Sequence, residues 1–280
     1  MCSARTANRS SSEAGAVGPL AVRDAGRGGL VSPVAGAWWN GYFDADYLAE
    51  HAPMFGDGRD RPEVARAIEL LEAPVGARIL DCPCGQGRHA HLLAEAGFRV
   101  TGLDHSADLL ERARATPSTA TFVEGDMRNL PARWRGRFDA VVSLGASFGF
   151  FATRAEDDRV LANYARVLRP GGRFLLHAAN RDGIMAQFIA KDWWESPSGQ
   201  LVLHERTFDP LSGFLDVHVQ LRKGRTVTRR AYRLRLYSPS ELAALAARHG
   251  LIVTEAYDGY RDRPVRRRSG EMLLVGTRAE

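Results

Sequence analysis

The twelve residues from Arg78 to His89, reading RILDCPCGQGRH, constrain this chain more than any other stretch. Arg78, Ile79 and Leu80 read as the end of a short buried strand. From His89 onward Leu92, Leu93 and Ala96 recur at helical spacing. Between strand and helix lie Gly85 and Gly87, which let the backbone turn tightly and approach a ligand with no side chain in the way. Strand, glycine loop and helix N-terminus in this order form the opening unit of a nucleotide-binding α/β fold.

Two ligand classes use that geometry, and Gly85-x-Gly87-x-x-Ala90 satisfies a loose dinucleotide pattern. Asp81 argues against a dinucleotide. A fixed carboxylate where strand meets loop repels a pyrophosphate and suits a cation. S-adenosylmethionine carries a sulfonium and an ammonium and no phosphate, so it is the expected ligand in preference to NAD.

With 280 residues the chain has room for one sizeable α/β domain and an insertion. A hydrophobic fraction of 45% and a charged fraction of 25% are globular values. No run of eighteen apolar residues occurs, so no membrane span is expected. The N-terminus lacks an apolar signal core, which makes a soluble cytoplasmic protein the expectation. Cys2, Cys82 and Cys84 make neither a disulfide framework nor a zinc site, and the latter two read as small packing residues. The net charge of +5 comes almost wholly from arginine, with Lys191 and Lys223 the only lysines. That bias fits a GC-rich genome better than a nucleic-acid surface.

Residues 1–36, rich in Ser, Ala, Gly and Arg, are expected to be disordered. An aromatic cluster follows, Trp38, Trp39, Tyr42, Phe43 and Tyr47, with a short helix at Tyr47 to Glu50. Arg61-Pro62-Glu63 is expected to open a second helix, with Pro62 at its first position. After the glycine loop, Phe98 to Asp104 reads as a strand ending in an acid seventeen residues beyond Gly87. That is close to where a nucleotide fold places a ribose-binding carboxylate. Ser106 caps the next helix. Thr121 to Val123 and Phe138 to Leu144 read as strands, the second running into Gly145-Ala146-Ser147-Phe148-Gly149-Phe150-Phe151. Thr153 with Glu156 makes a capping box, and Arg169-Pro170-Gly171-Gly172 separates that helix from a strand at Phe174 to Ala179. Residues 183–236 hold alternating segments at Leu201 to Phe208, Phe214 to Leu221 and Thr226 to Leu236, predicting an antiparallel insertion that serves as a cap or a dimer contact. Ser238-Pro239-Ser240-Glu241 starts a last helix, and Leu251 to Ala256 with Glu271 to Thr277 closes the sheet.

With these residues in place, the chain resembles the class I S-adenosylmethionine-dependent methyltransferases, most closely their small-molecule branch. The resemblance covers roughly Trp38 to Thr277. It rests on Ile79-Leu80-Asp81-x-x-Cys84-Gly85-x-Gly87, Gly102-Leu103-Asp104, Glu124-Gly125-Asp126-Met127, Phe138-Asp139-Ala140-Val141 and Val167-Leu168-Arg169-Pro170-Gly171-Gly172, in family order. It implies a Rossmann-like seven-stranded sheet with one antiparallel strand and helices on both faces, spanning residues 37–280. It also implies that Asp81 and Gly85 sit against the methionine moiety, that Gly87 allows close backbone approach and that Asp104 holds the ribose diol. Asp126 would accept from the adenine amino group, Met127 would pack on the ring, and Leu144 and Gly145 would line the cofactor where the methyl group is presented. Arg88 either reaches the cofactor carboxylate or stays solvated. Pro83 departs from the family pattern, standing where a first glycine is usual.

Methyl transfer needs alignment of nucleophile, methyl and sulfur with water excluded, and such positioning accounts for roughly 7 to 11 kcal/mol. A base is needed only where the acceptor loses a proton, and His177 is the candidate. Tyr42, Phe148, Phe151 and Trp194 are expected to shape a lidded apolar pocket around the cofactor and a small-molecule acceptor, with Asn180 orienting a polar group. Oxygen, nitrogen and carbon acceptors all remain open, as does a role in natural-product biosynthesis. Two further enzymatic readings stand beside this one: use of the aminocarboxypropyl part of the cofactor by a transferase or cyclase, and RNA methylation. Against RNA, Ser143-Leu144-Gly145-Ala146 replaces the Asn/Asp-Pro-Pro-aromatic motif of base-amino methylation, and no RNA-binding module is recognisable.

Overall fold

The computed structural model describes residues 37–51, 55–196 and 199–280, so the expectation for residues 1–36 lies outside it. Two helices, α1 (Ala45–Glu50) and α2 (Asp57–Leu71), precede the first strand. Strands and helices then alternate as β1 (Arg78–Asp81), α3 (Arg88–Glu95), β2 (Arg99–Asp104), α4 (Ala107–Ala115), β3 (Thr121–Glu124), β4 (Phe138–Ser143), α5 (Arg154–Val167) and β5 (Leu168–Ala179). A short α6 (Arg181–Ala186) leads into β6 (Lys191–Glu195), β7 (Leu201–Asp209), β8 (Phe214–Lys223) and β9 (Thr226–Arg235). The described chain ends with α7 (Pro239–Ala247), β10 (Leu251–Tyr257) and β11 (Glu271–Arg278).

The central sheet runs β10-β11-β5-β4-β1-β2-β3, with β11 antiparallel to both its neighbours and the other pairings parallel. Its inner strands β1, β4, β5 and β11 are apolar on both faces, as a sheet covered by helices on two sides requires. Leu80, Val141, Leu176 and Leu274 pack with Leu161 and Tyr164 of α5 and Leu242 of α7. Their sequence neighbours Ile79, Val142, Leu175 and Leu273 turn to the other face, against Val64 and Leu71 of α2 and Leu93 of α3. Burying each such side chain contributes about 1.5–3 kcal/mol. β1 has β2 on one side and β4 on the other, so the chain leaves in opposite directions around it. The loops after β1 and β4 therefore diverge and open a crevice at the carboxyl ends of the strands.

The expected caps form: Ser106 Oγ accepts from Leu109 N–H, and Thr153/Glu156 and Ser238/Glu241 both make reciprocal capping boxes. Helix α2, however, starts at Asp57 rather than at Arg61, which puts Pro62 inside the helix and not at its first position. The Asp60 carboxylate accepts from Gly56 N–H at 3.1 Å, closing a turn before the proline is reached. The carbonyl that Pro62 cannot satisfy belongs to Gly58, which is exposed to solvent.

The insertion is a four-stranded antiparallel sheet, β6-β7-β8-β9, with β6 and α6 added to the three strands expected. Val217, Val219 and Leu221 point to one buried face, joined there by Val202, Leu234 and Leu236 and by Phe150 from the loop after β4. A buried cluster anchors its last strand: Asp157 of α5 accepts from Tyr237 Oη at 2.7 Å and from Arg235 Nε at 3.3 Å. No described helix is long and apolar enough to cross a membrane.

Candidate active site

The glycine loop is held from three directions. Tyr164 Oη of α5 donates to the Cys82 carbonyl at 2.6 Å. Cys84 N–H donates to the Leu103 carbonyl of β2 at 3.0 Å. Gly85 N–H donates to the Asp104 carboxylate at 2.7 Å, whose other oxygen accepts from Ser106 N–H at 2.9 Å. Asp104 is thereby fixed at the end of β2 by backbone donors, although burial raises its pKa against them. Gly87, at φ +80, turns the chain into α3. A Cβ there would meet His91 Nε2 at 2.8 Å and Phe122 Cζ at 3.0 Å, so packing within the chain adds to the left-handed backbone in favouring glycine at this turn.

Asp81 ends β1 with 1% of its surface exposed, and neither carboxylate oxygen has a hydrogen-bond partner among the described residues. Burial pushes its pKa up to about 8, with Arg88 opposing and Asp104 reinforcing the rise. A buried acid left this way keeps its proton near neutral pH and has hydrogen-bonding capacity that no described residue uses, although it is not itself among the residues lining the cavities beside it. Beside the loop, a pocket lined by Asp104, Leu109, Asp126, Met127 and Phe151 and closed by Trp39 and Tyr47 offers two acids and a set of apolar faces. Asp126 is gripped by Arg128 through its side chain and its backbone N–H, which lowers the Asp126 pKa against burial. Ser106 Oγ donates to the Phe43 carbonyl at 2.8 Å, drawing the N-terminal aromatics over the pocket. An orphaned acid at β1, a carboxylate at the end of β2 and an apolar slot beyond β3 fit a nucleoside-bearing sulfonium amino acid. They do not fit a diphosphate.

The pocket joins a larger chamber of about 410 Å³ between the loops at the carboxyl ends of the main sheet and the inner face of the insertion. Leu144, Gly145 and Ala146 form part of one wall, with Ala146 held at φ +58, a left-handed conformation costing a non-glycine residue about 1–2 kcal/mol. Trp38, Tyr42, Tyr47, Phe150, Trp194 and Tyr232 supply an aromatic lining. On another side Arg88 reaches Asp60 at 2.5 Å and Glu63 at 2.8 Å, so it is neither solvated nor free. Burial would raise the Glu63 pKa, but His89, Arg59 and Arg88 together hold it at about 2. His177 lies against Tyr260 at 4.7 Å between ring centroids, with Glu271 Oε2 3.6 Å from its Nε2.

Several expected residues converge here. Asp104, Asp126, Met127, Phe151 and Gly85 line the pocket, and Tyr42, Arg88, Leu144, Gly145, His177 and Trp194 line the chamber. Tyr42 is on the chamber side, its hydroxyl donating to Glu50 at 3.1 Å. Two expectations fail. Phe148 turns into the core beside Tyr237, because the glycines at 145 and 149 reverse the loop so that Phe150 faces the chamber instead. Asn180 is spent on the backbone, donating to the Ser269 carbonyl at 2.8 Å and accepting from Asp182 N–H at 3.2 Å as the cap of α6. Reading by motif also missed Glu50, His51, Glu63 and Glu271, which lie outside every motif. The only signal for Glu63 was its place on the apolar side of α2.

A methyltransferase domain family matches residues 79–172. The N,N-dimethyltransferase of dTDP-3-amino-3,4,6-trideoxy-alpha-D-glucopyranose from Streptomyces venezuelae is 30% identical over 197 residues, which is 68% of this chain and 72% of that one. The glycine/sarcosine N-methyltransferase of Halorhodospira halochloris is 35% identical over 133 residues, 46% of this chain and half of that protein's length. Among solved structures, the CcbJ methyltransferase from Streptomyces caelestis superposes with a TM-score of 0.71 at 22% identity, covering 83% of this chain and 96% of that one, a likeness of fold. The fold and the site define a nucleoside-binding α/β enzyme whose ligand is a cation. The chain belongs to the class I S-adenosylmethionine-dependent methyltransferases, and S-adenosylmethionine is its cofactor.

Proposed function

We propose that this enzyme methylates an amine of a small, polar natural-product molecule, such as an amino sugar, enclosed in the aromatic chamber. The observation that carries the reading is the chamber itself. It is contiguous with the cofactor pocket through Tyr47, Gly85, Ser147 and Phe150, and its volume suits a small molecule rather than a nucleic-acid strand. Both relatives described above are N-methyltransferases by name, which favours nitrogen over oxygen or carbon.

When bound, the cofactor supplies a methyl group already activated on a sulfonium. In this reading Asp81 faces its cationic end, Asp104 accepts from the ribose hydroxyls, and Asp126 and Met127 hold the adenine edge and face. Leu144 and Gly145 form the wall beside the transferred group, and residues 37–280 work as one catalytic unit. The strands within 183–236 act as a fixed cap that excludes water and so strengthens each polar contact inside. The aromatic lining accommodates an ammonium or sulfonium charge without pairing it permanently. Two chamber histidines, His177 and His51, are candidates to accept a proton.

The test incubates the full chain with methyl-labelled S-adenosylmethionine and a panel of acceptors: dTDP-3-amino-3,4,6-trideoxy-alpha-D-glucopyranose, simple amines, matched alcohols and total RNA. Label on an amine nitrogen with S-adenosylhomocysteine as co-product is expected. Methylthioadenosine as co-product would instead establish aminocarboxypropyl chemistry, and label in RNA would return the nucleic-acid reading.

A further inference from the structure

Four histidines line the chamber, His51, His89, His177 and His204, and their hydrogen bonds separate them. His204 has both nitrogens engaged: Arg206 Nη2, which can only donate, lies 2.8 Å from its Nδ1, so Nε2 carries the hydrogen and donates to Glu50 Oε1 at 3.1 Å. His89 Nε2 is 2.9 Å from Glu63. His177 is 2% exposed, and Glu271 Oε2 stands 3.6 Å from its Nε2, with the imidazole the main cause that lowers the Glu271 pKa, so that nitrogen is turned toward a carboxylate.

His51 is different. It follows the last residue of α1, and its Nδ1 lies 3.1 Å from the Tyr47 carbonyl. A carbonyl only accepts, so Nδ1 holds the hydrogen and Nε2 presents a lone pair. None of the described residues makes a hydrogen bond to that nitrogen. The side chain keeps 19% of its surface exposed, and Glu50 Oε1 stands 3.8 Å from Nε2. Glu50 itself is wholly buried and is held as an acceptor by Tyr42 Oη and His204 Nε2.

We infer that His51 Nε2 is the base that takes the proton from the acceptor amine, with Glu50 as the positioning residue that stabilises the imidazolium formed. This rests on the amine reading above. The acceptor ammonium gives one N–H proton to Nε2, which frees the nitrogen lone pair. That pair forms the new N–C bond to the methyl carbon while the C–S bond breaks and its electrons stay on sulfur. The proton leaves His51 for solvent through its exposed edge. Burial lowers the His51 pKa, while Glu50 of α1 and the Tyr47 carbonyl raise it and His204 of β7 and Arg230 of β9 lower it further, so the ring rests neutral and ready to accept. Tyr47, its nearest aromatic neighbour at 4.5 Å, cannot substitute, because burial pushes the phenol up to about 12.

The experiment has two arms on the full chain. Long-range proton–nitrogen NMR of histidine-labelled protein, titrated from about pH 5 to about pH 9, is expected to show one ring that stays the Nδ1–H tautomer at neutral pH and vanishes in His51→Gln. An Nε2–H tautomer or an imidazolium at that position overturns the assignment with no turnover measured. In the second arm, dTDP-3-amino-3,4,6-trideoxy-alpha-D-glucopyranose and a primary alkyl amine serve as acceptors. His51→Gln is expected to lose roughly 10²- to 10⁴-fold in kcat and the acid limb of its pH profile, with the Kd for S-adenosylhomocysteine unchanged. His51→Ala should recover part of its rate with added imidazole. Wild type active on the amine while His51→Gln keeps its rate, or while His177→Gln loses the acid limb in its place, overturns the His51 assignment and leaves the amine reading standing. Wild type that methylates no amine overturns the amine reading, and with it the base.

Discussion

At the scale of single residues, the unpaired acid at the end of β1 has the sharpest consequence. Burial lifts the folded-state pKa of Asp81 to about 8, above its ordinary value of 3.8. A group raised in this way favours folding while both states hold the proton, and that contribution is lost as pH climbs from about 4 through about 8. The free protein should therefore carry most of one proton on Asp81 at neutral pH, and a cationic ligand should expel it. Calorimetric titration of S-adenosylmethionine in buffers of differing ionisation heat is expected to show that proton released at pH 7. Asp81→Asn should release none and bind about 10- to 100-fold more weakly, the worth of one charge-assisted hydrogen bond. An unchanged proton count in the variant would remove Asp81 from the site. The acid's position was legible from its place before the glycine loop. That it has no partner was not, because orphaning depends on which donors the rest of the fold brings near.

At the scale of elements, the insertion is held to the sheet by backbone, not only by side chains. Gly149, in the loop after β4, sits at φ +95, and its carbonyl accepts from Arg235 N–H of β9 at 2.6 Å. A Cβ there would lie 2.3 Å from the Arg235 carbonyl oxygen, so Gly149→Ala must push the two segments apart. The expected cost is about 2 kcal/mol or more, read as a lower urea midpoint, together with faster proteolysis across residues 181–236. Wild-type protection there would place the anchor elsewhere, with the Asp157–Arg235–Tyr237 cluster. The same region shows how periodicity informs and misleads. Alternation located β7 and β8, since along much of each strand every second residue is buried. It could not choose between Phe148 and Phe150, because a loop turned by two left-handed glycines has no period. Pro62 misled for a related reason: a proline often marks a first turn, but here Asp60 had already closed one upstream.

At the scale of the whole molecule, the crevice at the switch between β1 and β4 sets which ligands stabilise the fold. A ligand bound only by the native state raises its stability by RT ln(1 + [L]/Kd), about 2.7 kcal/mol at a hundredfold excess over Kd. S-adenosylhomocysteine and S-adenosylmethionine are each expected to raise the Tm by several degrees, and NAD at equal concentration to leave it unmoved. A shift with NAD and none with the sulfonium compound would contradict the charge argument from which the site was read.

What the sequence determined by itself was the order of the strands and helices of the main sheet, the glycine turn and the sign of charge its ligand carries. These follow from neighbours along the chain: side-chain period, backbone freedom at a few glycines, an acid at a strand's end. Only the tertiary structure decided which side chains meet at the chamber, where Glu50 of α1 stands between His51 and His204 of β7, and His177 of β5 faces Glu271 of β11. Those partners are up to 154 residues apart, and a hydrogen bond between them depends on angles and distances that no local pattern encodes.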